Sequence, residues 1–260
     1  MKIVLCIKQV PDTSDIKWTE NNTIQREGLE SIMNTFDTYG LEAALRIKNE
    51  DNDVQISAIT MGPPQAENVI REAIALGVDN GFVITDKKFA GADTIATSTT
   101  LAAAVQNKIG NADLIICGQY AIDGDTAQTP AMLAQKLGYS QVTYVREIVD
   151  FKNNIVTAKR ETEDGIEIVN AELPCVISFI KPDYPLSRPL INGFKTAQMA
   201  EIPCYSMEDI GLSAEVVGIK GSPTYVSKAF RPEQKHCGQK FKPETVKDAV
   251  NIIMENINVR

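Results

Sequence analysis

The 260-residue chain carries a single histidine, and none of its five cysteines is paired at the spacing of a CxxC motif. With no second ligand cluster beside them, His236-Cys237 do not make a metal site, and no bound metal is expected. No apolar run approaches the ~20 residues that a transmembrane helix needs, so no membrane insertion is expected. The run from Ile3 to Ile7 is too short for a leader core and has no small-residue cleavage site behind it, which makes a cytoplasmic location the expectation. Basic residues are the minority, 26 against 34 acidic for a net charge of −8, and no dense Lys/Arg run is present. Such a chain has no electrostatic footprint for nucleic acid. GxGxxG, GxxxxGKS, GxxxxGKT and GxSxG are absent, and no Ser/His/Asp or Cys/His arrangement is legible. No catalytic residue is therefore nominated.

What is there is ordinary globular composition, 43% hydrophobic and 23% charged, which predicts one large domain with extensions. Apolar runs at 2–8, 54–60, 81–85 and 113–118 read as strands. Between them, helical spacing appears over Thr38–Lys48, Ala66–Leu76, Thr94–Ile109 and Thr126–Leu137, with Asp93 as an N-cap and glycines at several ends. Residues 16–29 read as a hairpin-like excursion turning at Asn21-Asn22. Strand–helix alternation with short connections predicts an α/β fold with a doubly wound, mostly parallel sheet. Ligands of such sheets sit past the C-terminal strand ends, here near Val10, Met61-Gly62, Thr85 and Gly118.

After Gln141 the pattern changes to four extended segments, QVTYVREI, NIVTAKRE, GIEIVN and PCVISFI, which predict an antiparallel extension of the sheet. From Lys181 the periodicity fades and prolines recur. That stretch is not expected to bury a core of its own. Leu190, Ile191, Phe194, Val216, Val217, Tyr225 and Phe230 recur through it, which favours an arm laid on a partner over disorder.

Two segments leave a strand and open a helix. The first is Gly118-Gln-Tyr-Ala121-Ile122-Asp123-Gly124-Asp125-Thr126-Ala-Gln128-Thr129-Pro130. Its glycines let a ligand approach the backbone, and a helix N-terminus attracts phosphate. Capping by Asp125 alone is the plainer reading, but it leaves Asp123, Gly124, Thr126, Gln128 and Thr129 without a reason. The second is Phe89-Ala-Gly91-Ala92-Asp93-Thr94-Ile-Ala-Thr97-Ser98, where capping and close packing compete with a ligand role. Two helix N-termini converging on one crevice suit a pyrophosphate.

Gly118–Thr129, the opening VLCIKQVPDT, Ser31-Ile-Met-Asn34 and Thr60-Met61-Gly62-Pro63 together resemble the motifs of electron transfer flavoprotein beta subunits, in family order, over most of residues 1–180. The resemblance implies an adenine-nucleotide site on a Rossmann-like, adenine nucleotide alpha hydrolase-like fold. It extends the cofactor-binding role to Cys6, Asn34, Met61 and Gly62, beside Gly91, Ala92, Asp93, Thr94, Thr97, Gly118, Ala121, Ile122, Asp123, Gly124, Asp125, Thr126, Gln128 and Thr129. The 89–98 and 123–128 segments resemble the electron-bifurcating members. That implies FAD rather than AMP, NADH as electron donor, and onward transfer to a flavin-dependent dehydrogenase and to ferredoxin or flavodoxin. Gln119-Tyr120 and Thr129-Pro130-Ala131 depart from the Arg-Gln and Val-Gly-Pro of many such members.

By position, Tyr184–Phe194 corresponds to the family's recognition loop. Leu190 is implied as its anchor, with Ile191 and Phe194 beside it, and the dehydrogenase is implied to be of the acyl-CoA or the lactate (2-hydroxyacid) type. The implied organisation is a nucleotide-binding domain over 1–185, and over 186–260 a recognition loop and arm that pack on an alpha subunit. Two other classes stay open on the residues: a stand-alone adenine-nucleotide-binding regulatory domain, and an adenylating enzyme. The second needs a Ser/Gly-rich loop after the first strand, where the chain has Lys8-Gln9-Val10-Pro11-Asp12 instead.

Overall fold

Apolar side chains on both faces make β1 (Lys2–Cys6) a central strand: Ile3 and Leu5 enter the core layer on one side of the sheet, Val4 and Cys6 the layer on the other. Burial on two sides suits a parallel strand covered by helices front and back. The computed structural model describes residues 1–12, 31–227 and 240–256. The excursion expected over 16–29, Phe230 and His236-Cys237 lie outside the described residues.

A short antiparallel pair comes next, β2 (Gln9–Pro11) with β3 (Ser31–Met33), and then α1 (Thr35–Glu50). The chain then alternates β4 (Gln55–Met61), α2 (Glu67–Leu76), β5 (Asn80–Ile84), α3 (Thr94–Ala104), β6 (Leu114–Gly118) and α4 (Thr129–Leu137). It continues through β7 (Ser140–Lys152), β8 (Ile155–Thr162), β9 (Gly165–Glu172) and β10 (Cys175–Phe179). Last come α5 (Ile191–Met199), β11 (Cys204–Tyr205) and α6 (Val246–Asn256). The nine-stranded sheet runs β11-β5-β4-β1-β6-β10-β7-β8-β9. The strands from β11 to β7 pair in parallel, while β7–β8 and β8–β9 are antiparallel. One core layer lies under α1, α2 and α5, the other under α3 and α4. The mostly parallel, doubly wound α/β sheet with its antiparallel extension is therefore present as expected.

Three local expectations differ. PCVISFI does not extend the antiparallel ribbon: β10 inserts between β6 and β7, parallel to both, and is buried throughout. Its near-continuous apolar run is the pattern of a parallel core strand. The fourth crossover helix begins at Thr129, not Thr126, because Asp125 (φ 52°) and Ala127 (φ 56°) are left-handed and cannot belong to it. The stretch after Lys181, expected as an arm on a partner, also packs on this chain's own core. Ala197 of α5 packs into the α1/α2 layer, β11 adds an edge strand beside β5, and Met207, Ile210 and Val217 are buried in the α3/α4 layer. In contrast, α6 has no buried residue and leaves Val246, Val250, Ile253 and Met254 exposed.

Candidate functional site

The C-terminal ends of β1, β4 and β6 and the starts of α1, α3 and α4 meet along one edge of the sheet, where doubly wound folds keep their ligand crevice. Every nominated cofactor residue lies at these ends. Cys6 closes β1, Asn34 precedes α1, Met61 ends β4 with Gly62 just beyond it, Gly91–Asp93 lead into α3, and Thr94 and Thr97 lie in its first turn. Gly118 ends β6, and residues 121–129 lead to α4.

Asp37 ties three of these pieces together. In the first turn of α1 and buried, it accepts from the main-chain N–H of Lys8 (2.6 Å) and of Gly118 (3.2 Å) and from Asn34 Nδ2 (2.9 Å). A buried carboxylate needs such donors. Burial still dominates and pushes its pKa up to about 7, against the lowering effect of these hydrogen bonds and of the Lys8 charge. Asn34 carries the tie into the next loop: its Nδ2 donates to the Tyr120 carbonyl (3.0 Å), and its Oδ1 accepts from the Ile122 N–H (3.1 Å). Lys8 Nζ reaches both carboxylate oxygens of Asp123, at 2.6 and 2.8 Å. Gln119, buried, accepts from Ser178 Oγ (2.6 Å) and from the Tyr144 N–H (2.9 Å). Tyr120 turns outward onto Phe36, the ring centroids 4.0 Å apart. The 118–122 stretch is thus held from Asn34 and α1, β7 and β10 at once.

The segment beyond it is open. Asp123 to Thr126 are exposed, and around Gly124 there is space for a side chain. No side chain caps α4: Gln128 occupies the cap position without a side-chain hydrogen bond to the helix. Asp125, expected as that cap, sits three residues too early and is left-handed. An uncapped helix start preceded by two left-handed residues presents main-chain N–H groups to the crevice, the donor set that fits a phosphate or pyrophosphate. Across the crevice, Asp93 caps α3 by accepting from the Ile95 and Ala96 N–H groups, and Thr94 Oγ1 donates to Gln128 Oε1 at 3.2 Å. The two nominated segments are therefore in contact.

The chemistry of this edge is that of binding. Cys117, the β6 neighbour of Cys6, hydrogen-bonds the Cys6 thiol and is buried, and both effects hold its pKa well above the ordinary thiol value. A thiol so held is not a nucleophile. Among the described residues, no group of three or more His, Cys, Asp or Glu could hold a metal ion. No described helix is long and apolar enough to cross a membrane.

The nominated docking residues lie away from the crevice, at the start of α5. Leu190, Ile191 and Phe194 are 77%, 87% and 59% exposed. The loop before them is pinned to α1: the Ser187 N–H donates to Glu42 (2.7 Å), and Arg46 stacks over the Tyr184 ring at 3.7 Å.

Asp37, Lys8 and Gln119 are site residues that the sequence reading does not nominate. For Asp37 a signal exists. It lies on the stripe of Gly40, Leu41, Ala44 and Leu45 at helical spacing, and a carboxylate on a buried stripe asks for donors.

Residues 21–202, more than half of the chain, match the family model described as the electron transfer flavoprotein domain. The chain is similar to the caffeyl-CoA reductase-Etf complex subunit CarD of Acetobacterium woodii, 40% identical over 99% of this chain and 98% of that one. It is 39% identical to the electron transfer flavoprotein subunit beta of Megasphaera elsdenii, over 94% of this chain and 92% of the relative. Acryloyl-CoA reductase electron transfer subunit gamma of Anaerotignum propionicum is also 39% identical, over 98% of each.

Proposed function

The chain belongs to the electron transfer flavoprotein family as a beta-type electron-transfer subunit, and from that premise we propose that its crevice binds FAD and works only in complex with an alpha subunit. The observation that carries the reading is the uncapped start of α4 behind a loop fixed by Asn34 and Asp37. It offers main-chain N–H donors, Pro130 excepted, to a pyrophosphate. The flavin held there would supply the capacity to accept a hydride from NADH and to give up electrons singly, with a dehydrogenase reached through the alpha subunit and ferredoxin or flavodoxin as the proposed acceptors.

The chain's own residues bind and orient. Gly124 leaves space beside the phosphate position, while Thr94, Thr97, Thr126 and Thr129 supply hydroxyls around the two helix starts. Lys8 holds Asp123, and with it the loop, through its bidentate contact. A carboxylate pair or catalytic histidine is not needed for this work, and the location proposed for it is the cytoplasm.

Relatives named as parts of caffeyl-CoA and acryloyl-CoA reductase systems favour an acyl-CoA type of flavin dehydrogenase as the partner over a 2-hydroxyacid type. The second reading keeps the same phosphate site but fills it with AMP as a structural ligand. The donors at α4 serve either nucleotide. Purifying the chain with its alpha subunit and counting nucleotides separates the two. Two FAD per heterodimer are expected, one FAD with one AMP would support the second reading, and no nucleotide on this subunit would end both.

A further inference from the structure

A segment from the C-terminal part of the chain grips the α3 wall of the crevice; its role rests on the nucleotide reading but has no part in it so far. One carboxylate oxygen of Asp93 caps the helix. The other accepts from the main-chain N–H of Thr224 (3.1 Å) and from its hydroxyl (2.8 Å). The Asp93 N–H in turn donates to Ser222 Oγ (2.8 Å), which itself donates to the Gly218 carbonyl (2.6 Å). Both Asp93 oxygens are thus occupied by protein, and the residue holds the turn rather than a ligand.

The grip is close. Gly218 is left-handed (φ 54°), and a Cβ there would lie 1.9 Å from the Lys88 carbonyl oxygen. Gly91 is also left-handed (φ 73°), and a Cβ on it would lie 2.5 Å from Ile219 Cγ1. Val217, 1% exposed, anchors the segment in the α3/α4 core layer. On the far side of Asp93, Thr94 donates to Gln128 of the opposite loop. A continuous line of contacts therefore runs from Thr224 through Asp93 and Thr94 to the loop that opens α4.

We propose that Ser222 and Thr224 are positioning residues for the nucleotide crevice, setting the first turn of α3 from the C-terminal part of the chain. Capping α3 requires one Asp93 oxygen; the second would be free to rotate the carboxylate toward solvent or ligand if Thr224 did not hold it. Fixing that carboxylate fixes the Gly91–Thr94 turn, and with it the hydroxyl that meets Gln128. The ordering cost of the turn is met before the ligand arrives, which raises affinity without adding a ligand contact.

The test uses the full chain in complex with its alpha subunit, stripped of nucleotide and titrated separately with FAD and AMP. Thr224→Val removes the hydroxyl at nearly constant shape, and Thr224→Ser restores it. Thr224→Val should weaken uptake at this subunit by roughly fivefold, the scale of one ordinary hydrogen bond. Thr224→Ser should match the wild type within about twofold. Without nucleotide, amide exchange at Ile95–Ser98 should be faster in the valine variant and normal in the serine variant. Wild-type exchange in Thr224→Val overturns the inference. So does faster exchange with unchanged affinity, because the contact would then order α3 without serving the site. Failure of the nucleotide reading looks different: the wild-type complex itself then takes up neither FAD nor AMP, and both claims fall.

Discussion

Asp37 occupies the space that a side chain at Gly118 would need: a Cβ on Gly118 would lie 2.3 Å from Asp37 Oδ1 and 2.7 Å from the Phe36 carbonyl carbon. The glycine is there so that α1 can approach the end of β6 closely enough for the Gly118 N–H to reach the carboxylate at 3.2 Å. Gly118→Ala should therefore destabilise the chain by about 1–3 kcal/mol, the usual cost of overpacking a filled core, and should loosen the 118–122 loop. Denaturant unfolding with an unchanged m-value checks the first part. A variant as stable as the wild type would mean that α1 can move aside at little cost.

The same carboxyl predicts a pH dependence. Burial raises the pKa of Asp37 from its ordinary 3.8 to about 7 in the folded chain. The folded state therefore holds this proton more tightly than the unfolded state. The resulting stabilisation is complete below about pH 3.8 and is lost as pH rises toward 7. Its slope is at most ~1.4 kcal/mol per pH unit. Unfolding free energies at pH 5 and pH 7.5, compared between the wild type and Asp37→Asn, isolate the group. The wild type should lose stability over that interval relative to the variant, and parallel pH profiles would remove Asp37 as the cause.

Much of this edge is legible in the sequence because it depends on local chemistry. The Asp93 cap and the β1 and β6 apolar runs each arise from neighbouring residues. What is not legible depends on distant partners. Asp125 tolerates a left-handed backbone without requiring it and nothing in Ala127 announces one, so helical spacing alone places the start of α4 three residues early. The position of β10 between β6 and β7 is a choice of neighbours that its own residues do not encode. A two-residue strand such as Cys204-Tyr205 has no period to detect, and its pairing with β5 is visible only in the fold.

The exposed stripe of α6 predicts a partner-dependent helix. Val246, Val250, Ile253 and Met254 recur at helical spacing, and no described residue buries them. In the isolated chain, amides of 246–256 should exchange fast while those of the buried Met207, Ile210 and Val217 stay protected. Adding the alpha subunit should slow the former. Val250→Asp with Ile253→Asp should leave the isolated chain as stable as before and weaken association by roughly a hundredfold, since two apolar side chains contribute ~1.5–3 kcal/mol each when buried. Undiminished association would place the interface elsewhere.

Leu190 is the sharper test of partner choice. It is 77% exposed just before α5, on a loop held to α1 by Glu42 and Arg46, so its loss should cost the chain itself little stability. A pinned loop presents an apolar anchor with little left to order on docking. Leu190→Ala should therefore weaken transfer to the dehydrogenase by roughly tenfold or more, the worth of one filled apolar pocket. Reduction by NADH should continue at the wild-type rate, because the crevice lies at the C-terminal strand ends while Leu190 sits at the α5 start, on the α1/α2 side of the sheet. The measurement is paired, NADH to an artificial dye against NADH to the dehydrogenase, in the complex with the alpha subunit. A fall in both rates would show that the substitution disturbs the crevice rather than a docking face. If neither rate falls, Ile191 and Phe194, 87% and 59% exposed on the same helix start, become the anchors to replace.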